Sequence, residues 1–283
     1  MAIPATDRPI TGTLWGAAWR GLRAAWHTSR PLERWYYRLG AALIISGLAH
    51  LGVFAVLGGP WEGPVSWRKP FTFGLSFGLT LITLTWVTSF LTLGARARRL
   101  WLGLFAAACV LEVGLITAQA WRRVPSHYNL ETPFDATIAR TLALGGGVLL
   151  VVVGALTIVA FRRSPATAPS MRLALRAGFV SLSCALIVGA AMIARGLLLV
   201  FAGQQQEAYL VGGALKPVHA VAMHGILVLP VLAWLLSLRA WDEARRVRLL
   251  TLVIAGYALL IGGVFVVALT GLALAPAPLV GGR

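Results

Sequence analysis

Seven apolar runs, each about as long as a bilayer is thick, constrain the fold of this chain more than any other feature. Because an α-helix rises about 1.5 Å per residue, roughly 20 apolar residues cross a hydrocarbon core of about 30 Å. Only 12% of the residues are charged, too few to cover a soluble protein of 283 residues. The sequence predicts an all-α, polytopic membrane protein with transmembrane helices over residues 39–59, 71–93, 100–121, 137–161, 177–201, 217–238 and 249–273.

The basic residues predict the orientation of these helices. Most of the arginines lie in residues 1–38 and in the connections after the second, fourth and sixth apolar runs. By the positive-inside rule those segments are cytoplasmic, so the short tail 274–283 is extracytoplasmic. We therefore expect a multi-pass protein of the bacterial cytoplasmic (inner) membrane, with residues 39–273 as its membrane domain. The same distribution accounts for the net charge of +16, so nucleic acid is not an expected partner.

The segment before the first apolar run has an amphipathic pattern. Tryptophans and a leucine repeat at helical spacing, and an adjacent face carries basic residues: Trp15, Trp19, Leu22 and Trp26 on the first, Arg20, Arg23, His27 and Arg30 on the second. This pattern predicts an interfacial helix on the cytoplasmic membrane surface, with membrane lipids as its partners. A helix that binds a protein partner is the alternative.

The third apolar run carries ionisable residues, which are costly in lipid and therefore are candidates for function. Glu112, Gln119 and Arg123 are spaced so that they share one helix face. Glu112 lies inside the hydrocarbon and is either protonated or paired with Arg123, Arg140 or Arg195. A buried ion pair with a purely structural role is the alternative to a functional group.

The connection after the third run combines a helix start with unexplained polar residues. Thr132, followed by a proline and then Asp135, matches a helix N-cap with an acidic residue near it. Arg122, Arg123, His127 and Asn129 are not explained by the cap. These side chains can hold an anionic headgroup or a substrate carboxylate, or they can lie among lipid phosphates.

Three histidines suggest a metal or haem site: His219 and His224 at the start of the sixth run, and His50 in the first. Five residues separate His219 from His224, so on a regular helix their side chains point about 140° apart. Both bind one ion only if the helix start is irregular. Proton transfer by His224 with His50 or Glu112 is a further hypothesis. The alternative to all of these sites is ordinary interhelical hydrogen bonding by the histidines.

Small residues and one proline predict how the helices pack. Gly74 and Gly78 form a GxxxG pair, which is typical of close helix contacts. Residues 145–147 are three consecutive glycines, which indicate close packing or a break in the fourth helix. Pro230 predicts a kink in the sixth.

Two segments carry a resemblance to known proteins. Residues 112–135, above all Ser126-His127-Tyr128-Asn129, and the segment from Lys216-Pro217-Val218-His219 to Met223-His224 and Pro230 resemble a group of bacterial seven-span membrane proteins with no assigned activity. The group has phenylalanine where Tyr128 stands and arginine where Lys216 stands. The resemblance implies the seven-span layout and a polar cluster on the outer side, and it implies no reaction.

Taken together, the residues predict an outward-facing polar site that binds, or binds and transforms, a lipid-soluble or anionic small molecule, alone or with a metal or haem. The candidate catalytic residues are Glu112, His224 and Arg123. The candidate substrate-binding residues are Arg122, His127, Asn129, Arg140, Gln119 and Arg195, and the candidate metal ligands are His50, His219 and His224. The alternatives are a permease for a small anion or proton-coupled solute, and an assembly subunit of a membrane complex.

Overall fold

The computed structural model describes residues 13–210 and 213–273, and it contains seven helices long and apolar enough to cross a membrane. No strand occurs in these two ranges, so the prediction of an all-α fold with seven spans is confirmed. The orientation across the membrane stays a prediction. Residues 1–12 and the predicted tail 274–283 lie outside the described residues.

The seven long helices begin before the apolar runs, because hydropathy marks only the part of a helix that is apolar. The chain forms α1 (Leu14–Thr28), α2 (Pro31–Leu57), α3 (Arg68–Val87), α4 (Ala95–Trp121), α5 (Pro133–Ala160), α6 (Pro169–Phe201), α7 (Gln205–Leu210), α8 (Lys216–Ser237) and α9 (Glu243–Ala273). A 3₁₀ turn, Thr88–Phe90, continues α3. Prolines at the first turns of α2, α5 and α6 set these early starts, since proline is favoured there. The short helix α7 was not predicted.

The bundle has two chemically different ends. We call the end with connections 58–67, 122–132 and 202–215 the polar end. The end with connections 91–94, 161–168 and 238–242 is the arginine end, and both names are used below in this sense. Because consecutive spans alternate in direction, α3, α5 and α8 all begin at the polar end.

Five helices form a ring in the order α3, α4, α5, α6 and α8. A small contact between α8 and α3 closes the ring. The helix α2 packs along α3, and α9 packs along α6 and α8. The α2–α3 contact is close because glycines face each other: a Cβ at Gly74 would lie 2.7 Å from the Leu43 carbonyl oxygen. This confirms the close packing predicted for Gly74 and Gly78.

The arginine end is fixed by contacts that the sequence did not indicate. Glu33 of α2 and Arg98 of α4 are both buried and lie 3.7 Å apart. The helix α1 packs its Ala17–Gly21 face inward, and a Cβ at Gly21 would lie 2.7 Å from the Trp234 ring of α8. Trp15 and Trp19 point away from the protein on the opposite face of α1 and are exposed.

Two predicted irregularities can be compared with the helices. The helix α5 is continuous through residues 145–147, so the glycines do not break it. The helix α8 also continues past Pro230 to Ser237.

Candidate functional site

The connection 122–132 begins where α4 ends at the polar end. Val124 N donates to the Gln119 carbonyl oxygen at 3.1 Å and Arg123 N donates to that of Ala120 at 3.1 Å. This pair of bonds is a Schellman motif, which places Arg123 in the left-handed region with φ 59°. Glycine usually occupies that position, so the arginine there costs about 1 kcal/mol. Its guanidinium lies over the Trp67 ring, 5.0 Å from the centroid.

Side chains at the start of α5 form hydrogen bonds that link the two ends of this connection. Thr132 caps the helix as predicted, since Asp135 N donates to its Oγ1 at 3.1 Å. The Asp135 carboxylate then accepts from Thr132 Oγ1 at 2.7 Å, from Gln119 Nε2 at 2.9 Å and from Arg122 Nη1 at 2.5 Å. Arg122 Nη1 also donates to the Gln119 side-chain oxygen. Gln119 and Arg122, two predicted substrate-binding residues, therefore already have partners in a buried network around Asp135.

Asn129 has a similar internal role. It is fully buried, its Nδ2 donates to the Pro125 carbonyl oxygen at 3.4 Å, and its Oδ1 accepts from Glu131 N at 3.1 Å. Ser126 is also buried, and its Oγ lies 3.0 Å from His127 Nδ1. The connection is thus held in one shape by its own polar side chains.

Tyr128 docks this connection onto α6. Its φ is 63°, also left-handed, and its Oη donates to the Met192 carbonyl oxygen at 3.2 Å. The ring fills the space above Gly196, where any Cβ would overlap it. Gln205 Nε2 donates to the Tyr128 carbonyl oxygen and to Tyr209 Oη, the latter at 3.0 Å. The connection 122–132 therefore crosses the polar end of the ring from α4 and α5 to α6 and α7.

His127 points from the connection towards α3. Its ring centroid is 6.1 Å from that of Phe73, and it is partly buried. Burial and, to a smaller extent, the charge of Lys69 together lower the pKa of His127 to about 3. At neutral pH the imidazole is therefore uncharged. Since Nδ1 is engaged by Ser126, the ring offers one further hydrogen bond through Nε2, rather than the positive charge that a predicted anion-binding residue would supply.

The chain's only two lysines both lie at the polar end. Lys69 and Lys216 each stand in the first turn of a helix, each followed by proline, at the starts of α3 and α8. Ser76 of α3 and Met223 of α8 line one pocket between these two helices. Lys69 lies seven residues before Ser76, and Lys216 lies seven residues before Met223. Since α3 and α8 run in the same direction, the lysines lie at the same depth, and the charge of Lys216 acts on Lys69.

Neither lysine has an acidic partner. No carboxylate lies within 4 Å of either ammonium group in the described ranges, whereas neighbouring Arg68 pairs with Glu62 at 2.7 Å. The starts of α3 and α8 have no side-chain cap and no acidic residue in the first turn. Because the N-terminus of a helix carries partial positive charge, a lysine there is unfavourable unless an anion is close by. No local sequence pattern singles out Lys69, although lysine is scarce in the chain.

Glu112 lies within the bundle between α4 and α5. It is 4% exposed, and its carboxyl group occupies the space that Gly145 leaves, since a Cβ there would lie 2.6 Å from Glu112 Oε1. It forms no ion pair with Arg123, Arg140 or Arg195 in the part of the chain that the structure describes. Arg140 and Arg195 are both exposed. Because an unpaired carboxylate is costly in hydrocarbon, the alternative of a protonated Glu112 stays a prediction.

The structure does not bring the three histidines together as a ligand set. His50 Nδ1 lies 2.7 Å from the Ser46 carbonyl oxygen, and its Nε2 accepts from Trp121 Nε1 at 3.1 Å. His219 Nδ1 lies 2.7 Å from the Ala185 carbonyl oxygen of α6, and His224 Nδ1 lies 2.6 Å from that of Ala220. No group of three or more His, Cys, Asp or Glu side chains is placed to hold a metal ion within residues 13–210 and 213–273. A metal or haem bound through fewer protein ligands stays a prediction.

Comparison with known proteins gives no match: no family model, no curated protein and no solved structure matches the chain.

Proposed function

We propose that this is a multi-pass protein of the bacterial cytoplasmic membrane whose polar end faces the outside and binds a small amphiphilic anion there. The orientation follows from the charge distribution, since residues 1–38, the connections of the arginine end and the adjacent helix ends together carry most of the basic residues. The seven apolar helices support the membrane location. The N-terminus is then cytoplasmic, and α1 lies at the cytoplasmic surface with Trp15 and Trp19 available to lipid.

The observation that carries the proposal is the pair Lys69 and Lys216. Two ammonium groups at two uncapped helix starts, without a carboxylate, leave positive charge that a bound anion would neutralise. Lysine binds phosphate as a point charge, and two lysines match a doubly charged phosphate monoester. We therefore place the anionic group of the ligand between the two lysines and its apolar part against the helices.

The connection 122–132 forms the wall of this site in the proposal. Its internal hydrogen bonds and its contact with Gly196 keep His127 beside Lys69 without any charge of its own. A neutral imidazole can form a hydrogen bond with the ligand and leaves the negative charge of the anion to the two lysines. Arg123, held over Trp67, supplies positive charge at the rim, and exposed Arg140 and Arg195 attract anions at longer range.

The proposal is tested by the thermal unfolding of the protein in nanodiscs with increasing decyl phosphate, since a ligand that binds the folded state raises the unfolding temperature. We expect stabilisation by decyl phosphate and none by decyltrimethylammonium. A charge-assisted hydrogen bond contributes about 1.5–3 kcal/mol, so K69M and K216M should each weaken binding at least about tenfold.

The matched control is R96M/R99M, which removes two positive charges from exposed residues at the arginine end. It should leave the affinity for decyl phosphate unchanged, which excludes a general effect of net charge. Equal affinities for the anion and the cation, or full decyl phosphate binding by K69M/K216M, would contradict the proposal.

A further inference from the structure

A second polar feature lies between α3 and α8, deeper in the bundle than the lysines. Ser76, Thr80 and Thr83 of α3 and His224 of α8 line a pocket of about 20 Å³. Ser76 and His224 each lie eight residues from the start of their helix at the polar end, which corresponds to about 12 Å and is close to the bilayer midplane. A cavity of more than about 10–15 Å³ with two or more polar partners can hold one water-sized group.

Thr83 supplies the unsatisfied donor of this pocket. Threonines in helices commonly donate to the carbonyl oxygen one turn back, and three neighbours on α3 do so: Thr72, Thr80 and Thr85. Thr83 is 3% exposed, and its Oγ1 has no hydrogen-bond partner. A buried hydroxyl without a partner costs about 1–3 kcal/mol, so a hydrogen-bonding group in the pocket would be stabilising.

His224 supplies the acceptor. Its Nδ1 lies 2.6 Å from the Ala220 carbonyl oxygen, and a carbonyl can only accept, so Nδ1 carries the proton. In this tautomer Nε2 carries no proton and is a free acceptor. The pocket therefore offers a donor at Thr83 and an acceptor at His224, and the group complementary to both is a hydroxyl.

We propose that the pocket between α3 and α8 binds an O–H group, which donates to His224 Nε2 and accepts from the Thr83 hydroxyl. The O–H group belongs either to a water molecule or to a lipid-soluble alcohol or phenol that enters from the membrane. This site does not use the lysines and does not depend on the anion site.

The test is solid-state NMR of the full-length protein in nanodiscs, labelled with ¹⁵N-histidine. The His224 signals are assigned by their loss in H224Q. We expect Nε2 of His224 to show the shift of an unprotonated nitrogen that accepts a hydrogen bond, and T83V to move it back towards the free-acceptor position. The matched control T85V removes a buried hydroxyl on the same helix that donates to Leu81, and it should leave the signal unchanged.

Adding decanol, with decane as the apolar control, distinguishes the two sources. If the hydrogen-bonded shift is present before decanol is added, the O–H group is water. If it appears only with decanol and not with decane, the site binds an alcohol, and T83V should weaken that binding about fivefold through one lost hydrogen bond. A protonated Nε2, or a signal that is the same in the wild type and T83V with and without decanol, would overturn the proposal. K69M/K216M should leave these signals unchanged, so failure of this site and failure of the anion site are distinguishable.

Discussion

The contact between Tyr128 and Gly196 gives the sharpest test of how the connection 122–132 is held across the polar end. In G196A the new Cβ would lie 2.7 Å from Tyr128 Oη and closer still to its ring carbons, so the ring must leave. Overpacking costs about 1–3 kcal/mol and the lost bond to Met192 about 1 kcal/mol. The higher helix propensity of alanine than of glycine offsets about 1 kcal/mol of this cost. We therefore expect G196A to lower the free energy of unfolding by about 2 kcal/mol.

The assay is equilibrium unfolding in mixed micelles, combined with the rate of trypsin cleavage at Arg122 and Arg123. Cleavage should be faster in G196A because the connection no longer docks on α6. In the background of Y128A the same substitution should cost little, so the double-mutant cycle should give a coupling of about 2 kcal/mol. The control G147A adds a Cβ with no atom within 4 Å and should be neutral or slightly stabilising. Wild-type stability of G196A, or a coupling below about 0.5 kcal/mol, would refute the reasoning.

Three further predictions concern other parts of the bundle. Because Glu33 and Arg98 are both buried, R98M should destabilise the protein by about 3–5 kcal/mol, and E33L/R98M should cost less than R98M alone in the same unfolding assay. The folded-state pKa of His127 is about 3 and its ordinary value is 6.5, so below pH 6.5 the unfolded state takes up a proton that the folded state does not. The free energy of unfolding should therefore decrease as the pH is lowered from 6.5 to 3, by up to about 1.4 kcal/mol per pH unit. Between pH 7 and 5 the wild type should lose more stability than H127N does. Finally, G145A should cost about 1–3 kcal/mol because its Cβ meets the Glu112 carboxyl group, and E112A should relieve that cost in the double variant; equal costs of G145A in the two backgrounds would show that the two residues do not touch.

The features that the sequence predicted correctly depend on neighbours along the chain. The seven spans follow from runs of about 20 apolar residues, and the cap at Thr132 follows from the residues next to it. The glycine pair Gly74 and Gly78 predicted a close contact because small residues permit one wherever the partner helix lies. The start of α2 at Pro31 was missed because its first turns are polar and hydropathy does not register them.

The features that were missed depend on which helices become neighbours. Lys69 and Lys216 stand near each other only because α8 returns to α3, which no local pattern encodes. The partner of Arg122 was missed for a related reason. Arg122 and Asp135 flank one short connection and pair with each other, and this removes Arg122 from the set of free cations. The neighbour of Glu112 was left open between no partner and an arginine, because a side chain in a helix meets what the adjacent helix presents, which here is Gly145.

The measurement that tests the central claim most directly is labelling of a single cysteine at the polar end in intact cells. In the G213C/C184S variant the introduced thiol lies three residues before Lys216 in an exposed position, and the remaining Cys109 is buried. We predict that a membrane-impermeant thiol reagent added outside labels Cys at position 213, and that decyl phosphate slows the labelling while decyltrimethylammonium does not. Labelling only after the cells are opened, or labelling that decyl phosphate does not slow, would contradict an outward-facing site for an anion.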